Sequence, residues 1–402
     1  MGPVSAPTPE SLRADAAEIA ADLVALRRRL HREPEVGFDL PRTQAAIVEA
    51  LKPLDLEIRL GERLSSVTAV LRGGRPGPSV LLRADMDALA IHEETGLEFA
   101  SRNGAMHACG HDLHVAGLVG AARLLAARRS ELRGSVVLMF QPGEEAGGGA
   151  PLMIEEGVLD AAGQRVEAAY GIHVFPGTPG TFSTRPAALM AGANVLRVRV
   201  TGRGGHGSRP HEAVDPVPVL AEIVLAFQTY VTRRVPVFDP VVISVAKLSA
   251  GDVLNVIPER AELAGTVRTM SKASSERLAV ELPALASRIA EGHGCRAETE
   301  FEVVYPVTVN DAECAEGALS TLAAAFGDER AQRLESPVMA SEDFSFVLDE
   351  VPGAFVFLGA TPAHLDPERA EMNHSPRAEF DDGVLADQAV ALAALALRHV
   401  GG

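Results

Sequence analysis

A cysteine and a histidine two residues apart, Cys109 and His111, form the most informative local pattern of the sequence. A thiolate and an imidazole at this spacing can converge on one divalent cation. Two adjacent carboxylates, Glu144 and Glu145, follow downstream. Such a pair can divide two tasks, because one carboxylate can bind a metal ion while the other moves a proton. The combination predicts metal-assisted hydrolysis.

Two more histidines are candidate ligands. His173 ends an apolar segment, and His374 lies in the turn-rich segment Asn373-His-Ser-Pro376. A thiolate, three imidazoles and one carboxylate of the glutamate pair exceed what one tetrahedral ion with a bound water needs. They fit two ions that share a bridging ligand and hold a water between them. Asp85 and Asp87 are candidates for carboxylates that orient a ligating imidazole.

The elements that must position these residues alternate between strands and helices. The runs Val136 to Phe140 and Ala168 to Val174 are continuously apolar, which is typical of strands buried on both faces. A long helix is expected after His111. Strands that alternate with helices predict a mixed, mostly parallel α/β sheet. Glu144 and His173 would then follow the carboxyl ends of strands, where open α/β sheets place their ligand sites.

The pattern changes near Pro186 and reverts after Pro306. Between them, the segment Val195 to Val200 alternates apolar residues with arginine, which predicts a strand with one solvated face. The order of elements there is β-α-β-β-α-β, the ferredoxin-like α+β arrangement. We therefore predict a catalytic domain in two parts, residues 1–186 and 306–402, interrupted by a smaller inserted domain at residues 187–305.

A glycine-rich stretch from Gly202 to Gly207 matches the pattern G-x-G-x-x-G of dinucleotide-binding proteins. The preceding strand alternates arginine with apolar residues, whereas the first strand of a dinucleotide-binding unit is buried on both faces. Prolines also delay the next helix beyond the third glycine. The sequence therefore argues against an oxidoreductase, and the glycines instead allow a tight turn that presents His206.

Composition excludes several classes of partner. The chain has 402 residues, a net charge of −17 and a pI near 5.2, which argues against binding nucleic acid or an anionic membrane. A negatively charged substrate would need a local cationic anchor. The three cysteines make a poor disulfide framework, and neither a signal peptide nor a membrane span is evident. We expect a cytoplasmic protein with no membrane partner.

The whole set of motifs resembles the amidohydrolase branch of the dinuclear metallo-aminoacylase and carboxypeptidase superfamily. That branch includes hippurate hydrolases, auxin-conjugate hydrolases and N-acetyl-diaminopimelate deacetylases. The resemblance covers nearly the whole chain. The matching segments are His31-Arg-Glu-Pro-Glu35, Arg83-Ala-Asp-Met-Asp87, Met106-His-Ala-Cys-Gly-His-Asp112, Gln141-Pro-Gly-Glu-Glu145, Gly171-Ile-His173, Gly204-Gly-His206, Asn255-Val-Ile-Pro258, Ser341-Glu-Asp-Phe344 and Asn373-His-Ser-Pro376.

The resemblance implies a catalytic domain and a lid domain that also mediates dimer formation. It implies two divalent ions whose five ligands include the thiolate in the bridging place. It also implies that Glu144 is the general base and that His206 is a lid histidine, one that reaches a neighbouring subunit's site in the family. Asn255 and Arg268 match positions that hold the substrate's carboxylate. The implied metal ligands are Cys109, His111, Glu145, His173 and His374.

The predicted function is hydrolysis of the amide bond of N-acyl amino acids by a metal-dependent amidohydrolase. A thiolate ligand favours Zn²⁺, while carboxylate and imidazole also accept Mn²⁺, Co²⁺ or Ni²⁺. The expected partners are a small-molecule substrate and further copies of the chain, as a homodimer or a higher homo-oligomer. Two alternatives remain open: a dipeptidase or carboxypeptidase of the same superfamily, and a non-catalytic metal-binding homologue.

Overall fold

The structure is a computed structural model that describes residues 8–401. By its internal contacts the chain divides into two compact units. The first contains the residues up to Leu189, Val309–Ser336 and the residues from Asp343 onward. The second contains Met190–Thr308 together with the short segment Pro337–Glu342, which the sequence pattern leaves outside the inserted domain.

Regular elements occupy most of the described chain. The helices are α1 (Pro9–Arg32), α2 (Pro41–Leu51), α3 (His111–Ala126), α4 (Gly149–Glu155), α5 (Pro216–Arg234), α6 (Lys272–Gly292), α7 (Ala312–Phe326), α8 (Phe344–Glu350) and α9 (Leu385–Val400). The strands are β1 (Glu57–Leu60), β2 (Val67–Arg72), β3 (Arg75–Asp85), β4 (Arg133–Gln141), β5 (Ala168–Phe175), β6 (Phe182–Thr184), β7 (Ala187–Met190), β8 (Gly192–Thr201), β9 (Gly205–His206), β10 (Val241–Ala250), β11 (Val256–Ile257), β12 (Arg260–Thr269), β13 (Arg296–Tyr305), β14 (Thr308–Asn310), β15 (Ala331–Arg333) and β16 (Gly353–Gly359).

An eight-stranded sheet forms the centre of the first unit, in the order β1-β2-β4-β3-β5-β16-β6-β15. The four neighbouring strands β4, β3, β5 and β16 run parallel, and the antiparallel pairs lie nearer the edges. In β4 and β5 nearly every residue is buried, because each strand is covered on both faces. The sequence's prediction of a mixed, mostly parallel sheet is confirmed.

Three long helices pack together against this sheet. Helix α1 begins at Pro9 behind the N-cap Thr8, whose hydroxyl accepts the Ser11 N–H. It contacts α3 and α9, and these two also contact each other and strand β3. Residues Asp382–Val400, which include α9, form the one helical stretch of the described chain long and apolar enough to cross a bilayer. Most of its residues are buried in this core, which identifies it as a core helix.

The parallel register brings the carboxyl ends of three neighbouring strands to one edge of the sheet. Asp85 of β3 lies beside Gln141, the last residue of β4. On the other side, Arg83 of β3 lies beside Gly171 of β5, so that the end of β3 is level with His173. Loops that leave these three strands therefore start close together, as expected for a ligand site of an α/β sheet.

The second unit has its own antiparallel sheet, in the order β10-β12-β8-β13. Along the chain these four strands follow one another in the order β8, β10, β12 and β13. Helix α5 lies between the first two and helix α6 between the last two. This is the ferredoxin-like arrangement. Strand β8 buries Leu196, Val198 and Val200 and exposes the intervening arginines. The predicted fold class is therefore confirmed for both parts of the chain.

Candidate metal centre

The candidate ligands of the first unit lie at the start of α3, in the loop after β4, near the end of β5 and in the loop after β16. Cys109 and His111 stand at the amino end of α3, on either side of its N-cap Gly110. The glycine has φ of +82°, a backbone conformation that favours glycine. A Cβ at this position would lie 2.3 Å from Cγ2 of Val174, so the α3 terminus packs directly on the end of β5. This close approach brings the thiol near His173.

The predicted ligands of the first unit are brought together. The Cys109 Sγ lies 3.5 Å from Nε2 of His173, and Nε2 of His374 lies 2.8 Å from Oε1 of Glu145. Ligand atoms of Cys109, Glu145 and His374 all lie within 4.8 Å of one another. The same holds for His111 with Glu145 and its neighbour Glu144. Four segments that are distant in sequence thus form one cluster of sulfur, nitrogen and oxygen donors.

The ring of His111 shows how the cluster suits a cation. Its Nδ1 donates to the carbonyl oxygen of Asp87 at 2.9 Å, so in the neutral ring, the form that binds metal, the lone pair is on Nε2. That Nε2 is fully buried and has no hydrogen-bond partner among the described residues. A buried polar atom without a partner costs about 1–3 kcal/mol, and a metal ion would remove that cost. The orphaned nitrogen and the surrounding soft and hard donors therefore fit a divalent metal ion.

His173 is oriented in the same way. Its Nδ1 donates to the carbonyl oxygen of Val174 at 2.8 Å, and its Nε2 faces the Cys109 sulfur. Burial and the neighbouring His114 hold the pKa of His173 well below its usual value. The imidazole is consequently neutral, which is the form that binds metal.

Without a cation, protons occupy the other two imidazoles. Hydrogen bonds to Cys109 and Glu145 raise the pKa of His374 to about 10. Burial alone would lower the pKa of His111, but the charges of Asp85 and Cys109 raise it well above the usual value. Burial would raise the pKa of Glu145, and the hydrogen bond from His374 outweighs this and lowers it. The cluster thus attracts positive charge, and metal binding would displace protons.

Glu144 lies beside this cluster and is largely buried. The backbone of the glutamate pair is fixed by Asp87, whose two carboxylate oxygens accept the N–H groups of Glu144 and Glu145 at 3.1 and 3.0 Å. Asp87 therefore holds a base candidate and a ligand candidate in one geometry. The sequence indicated Asp87 as a residue that orients a ligand. Its carbonyl oxygen accepts from Nδ1 of His111, and its carboxylate holds the backbone of the glutamate pair.

Two residues that support the ligand candidates were not predicted from the sequence. His114 lies three residues after His111 on α3, and its Nδ1 is hydrogen-bonded to Asp85. The i, i+3 spacing, which puts both rings on one face of a helix, was a signal available in the sequence. Asn373 donates from Nδ2 to the carbonyl oxygens of Cys109 and Val174 at 3.3 and 3.2 Å. Its position directly before His374 gave no comparable signal.

The remaining predicted site residues belong to the second unit. His206 of β9 pairs with Val256 of β11, and the N–H of Gly207 donates to the carbonyl oxygen of Asn255 at 2.8 Å. His206 and Asn255 are therefore neighbours in one exposed ribbon. Arg268 is half-buried and lies on β12, in the four-stranded sheet. Helix α5 begins only at Pro216, well beyond the glycine-rich turn.

Comparison with known proteins identifies the family. The model of the peptidase family M20/M25/M40 matches residues 81–398. The chain belongs to this family. Thermostable carboxypeptidase 1 of Saccharolobus solfataricus is 36% identical over 395 residues, which cover 97% of this chain and 98% of the relative. The N-acetylcysteine deacetylase of Bacillus subtilis is 37% identical over 340 residues, covering 84% of this chain and 88% of the relative.

A solved structure gives the same result. The YXEP protein of Bacillus subtilis, described as a dinuclear metal-binding peptidase of the M20 family, has 33% sequence identity and a TM-score of 0.82. The match covers 95% of this chain and 98% of that one. The resemblance to the amidohydrolase branch is therefore confirmed. The chain is a metal-dependent amidohydrolase, an enzyme that hydrolyses amide bonds.

Proposed function

We propose that the enzyme hydrolyses the amide bond of N-acyl amino acids of the N-acetyl or hippurate type. The observation that carries the proposal is the position of the Glu144–Glu145 pair beside a thiolate and three imidazoles in the first unit. Glu145 contacts the ligand candidate His374 at 2.8 Å, and the Glu144 carboxylate lies within 4.8 Å of His111 and Glu145. Adjacent carboxylates placed in this way can divide the tasks of metal-assisted amide hydrolysis, one as ligand and one as base.

The proposed ligand set would hold two divalent ions, with the thiolate of Cys109 among their donors. When bound, the ions lower the pKa of a water molecule and polarise the scissile carbonyl group. A cysteine ligand favours Zn²⁺, and Mn²⁺, Co²⁺ or Ni²⁺ are also compatible with the other donors. The residues that would hold them are Cys109, His111, Glu145, His173 and His374.

Glu144 is the proposed general base. It takes a proton from the attacking water and later delivers it to the nitrogen of the leaving amino acid, so the same carboxyl group acts first as base and then as acid. The hydrogen bonds from its backbone and that of Glu145 to Asp87 keep the carboxylate at a fixed distance from the ligands. Such preorganisation is what makes proton transfer by a side chain efficient.

His206 is proposed to stabilise the oxyanion of the tetrahedral intermediate, in its own or a neighbouring subunit. Its Nδ1 accepts the N–H of Ser208 at 3.1 Å. Since a backbone N–H can only donate, the neutral ring carries its hydrogen on Nε2. That N–H is the kind of donor that an oxyanion needs. Asn255 and Arg268 are proposed to bind the α-carboxylate, which supplies the local positive charge that a chain of net charge −17 requires.

Three further properties belong to the same proposal. The enzyme acts as a homodimer or a higher homo-oligomer through the inserted lid domain at residues 187–305, while residues 1–186 and 306–402 form the catalytic domain. It resides in the cytoplasm, where its three cysteines stay reduced; all three are unpaired in the structure. Its partners are the small-molecule substrate and its own copies.

A carboxypeptidase is the second candidate, and the similarity to a carboxypeptidase over nearly the full chain favours it. Both reactions cleave the amide bond at the nitrogen of an amino acid whose α-carboxylate is free, so one site can serve either. Rates with N-acetyl and N-benzoyl amino acids, compared with free dipeptides and with amino-terminally blocked peptides, separate them. Preference for blocked peptides over simple acyl amino acids would replace the first candidate by the second.

The variant Glu144→Gln tests the general base. It keeps the size of the side chain and one acceptor oxygen but cannot take up the proton, so kcat should fall by about 10²–10⁴-fold. Metal content measured by elemental analysis and the midpoint of thermal unfolding should stay at wild-type values. The matched variant Glu145→Gln should instead lower the metal content. Near wild-type turnover of a metal-loaded Glu144→Gln enzyme would remove Glu144 from the mechanism.

Removal of the metal tests the wider proposal. Dialysis against a chelator should abolish hydrolysis of the acyl-amino-acid panel, and addition of Zn²⁺, Mn²⁺, Co²⁺ or Ni²⁺ should restore it to different extents. Elemental analysis should give two ions per chain in the active enzyme. Full activity in a preparation with no bound transition metal would contradict the proposal.

A further inference from the structure

His114 lies where a sixth metal ligand could be expected. Ligand atoms of Asp85, His111, His114 and His173 all lie within 4.8 Å of one another, and all four residues are buried. By composition alone this group could bind a metal ion. The hydrogen bonds of the His114 ring decide between a ligand and a supporting role.

Both nitrogens of the His114 ring are already engaged. Its Nε2 accepts the backbone N–H of Val174 at 2.9 Å. A backbone N–H can only donate, so this nitrogen carries no hydrogen. The hydrogen of the neutral ring is then on Nδ1, which donates it to Oδ1 of Asp85. No lone pair of this ring remains for a metal ion.

The contact with Val174 acts on the adjacent ligand candidate. His173 directly precedes Val174, and its own Nδ1 donates to the carbonyl oxygen of Val174. His114 and His173 therefore hold the N–H and the C=O of one residue, and the rings approach to 4.6 Å between centroids. A shift of Val174 would turn the Nε2 of His173 away from the Cys109 sulfur, which it faces at 3.5 Å.

Asp85 anchors the other side of the His114 ring. Its Oδ2 accepts a hydrogen bond from Arg83 at 2.6 Å and lies 3.5 Å from Nε2 of His111. The other oxygen of this carboxylate accepts from Nδ1 of His114, which fixes the tautomer of that ring.

We propose that His114 is a positioning residue of the metal centre: held by Asp85, its ring fixes the backbone at Val174 and so aims His173, and it does not bind metal itself. The proposal rests on the metal centre proposed above. Partners of this kind orient ligands, and their loss typically weakens metal affinity by about 10–100-fold without removing a ligand.

Two amide variants separate the two contacts of the ring. In His114→Gln, the side-chain oxygen can reach the place of Nε2 and accept the Val174 N–H. In His114→Asn, the shorter amide can replace only Nδ1 and donate to Asp85. The experiment titrates metal-free protein with Co²⁺ and follows the d–d absorption, the stoichiometry and the dissociation constant, which need no substrate.

Wild type and both variants should bind two Co²⁺ per chain at saturation. His114→Asn should bind them about 10–100-fold more weakly, and His114→Gln should stay within about threefold of wild type because it keeps the backbone contact. The exposed His364 of the same unit provides the control, since His364→Gln should leave the titration unchanged. Circular dichroism of each metal-free variant checks that it is folded.

The possible results lead to different conclusions. Saturation of both variants at one ion would identify His114 as a ligand and overturn the inference. Affinities of both variants equal to wild type, or a stronger loss in His114→Gln than in His114→Asn, would also overturn it. If wild type itself binds fewer than two ions, the proposed dinuclear centre fails first, and the two failures are thereby distinguished.

Discussion

At the scale of single residues, Asp87 shows how one carboxylate can control the chemistry of two others. It is buried, and it accepts one hydrogen bond from the backbone of each member of the glutamate pair. The proposed base, which must reach a water, and the proposed ligand, which must reach an ion, therefore cannot adjust independently. Their relative position is therefore set by the loop backbone and by Asp87.

The variant Asp87→Asn tests this coupling. The amide offers one acceptor oxygen to two N–H groups and turns its NH₂ group toward the other, so one backbone contact is lost. We expect kcat to fall by about 10–100-fold, the range found when groups that support a metal centre are lost. Steady-state kinetics of the metal-loaded variant measures the change.

A control for Asp87→Asn is Asp22→Asn, at a carboxylate that is 68% exposed and pairs with Arg123 on the surface. Such surface pairs contribute about 0–1 kcal/mol, and kcat should not change. If Asp87→Asn were as active as Asp22→Asn, the loop backbone alone would hold the glutamate pair.

Residue types and spacing predicted much of the candidate site. The five ligand candidates and Glu144 lie together in the first unit, as metal chemistry requires; their roles stay predictions. The tautomer of His114 could not be foreseen, because it depends on which nitrogen meets the Val174 N–H. The supporting contacts of Asn373 depend on where a late loop returns.

At the scale of elements, the start of α3 is the critical junction. Gly110 has a positive φ, and any Cβ there would overlap Val174 of β5. The helix therefore begins at one position only, with Cys109 before the glycine and His111 as its first residue. If the sequence were shifted by one residue along the helix, the imidazole would point about 100° away, since an α-helix has 3.6 residues per turn.

The variant Gly110→Ala should be strongly destabilising. The left-handed conformation costs about 1–3 kcal/mol for alanine, and the overlap with Val174 adds about 1–3 kcal/mol. Gly163→Ala is the matched control, because Gly163 has φ of +81° and open space around the added Cβ. Denaturant unfolding should show a clearly larger loss for Gly110→Ala. Equal losses would mean that the packing on β5 is unimportant.

The degree of burial explains which strands could be predicted from the sequence. The long apolar run Val136 to Phe140 corresponds to β4, because a strand buried on both faces consists almost entirely of apolar residues. Strand β1 has no such apolar run, since its residues are mostly exposed. It becomes a strand by pairing with β2. Strand β3 likewise begins with exposed residues, Arg75 and Pro76, before its buried apolar part.

At the scale of the whole molecule, each unit has a hydrophobic core of its own. The core of the first unit surrounds α3 and α9, and that of the second lies between its sheet and the helices α5 and α6. All five ligand candidates belong to the first unit. A ligand that binds only the folded form stabilises the part of the protein that contains its site.

Scanning calorimetry should therefore resolve two contributions to unfolding. Metal at 100 times its dissociation constant adds about 2.7 kcal/mol per ion to the stability of the first unit, and chelation should lower that transition alone. Phe227→Ala, which truncates a fully buried side chain of the second core, should lower the other transition by about 3–5 kcal/mol. A single transition that both changes shift equally would show that the units unfold together.

The path of the chain also sets the order in which the metal cage can be completed during biosynthesis. Four of the five proposed donors lie between residues 109 and 173, but His374 follows about 200 residues later in the chain. It joins the others through a loop anchored by the bond from its N–H to the Ala108 carbonyl. A nascent polypeptide whose late loop has not yet been synthesised would hold an open cage, and full loading with metal would wait for that loop.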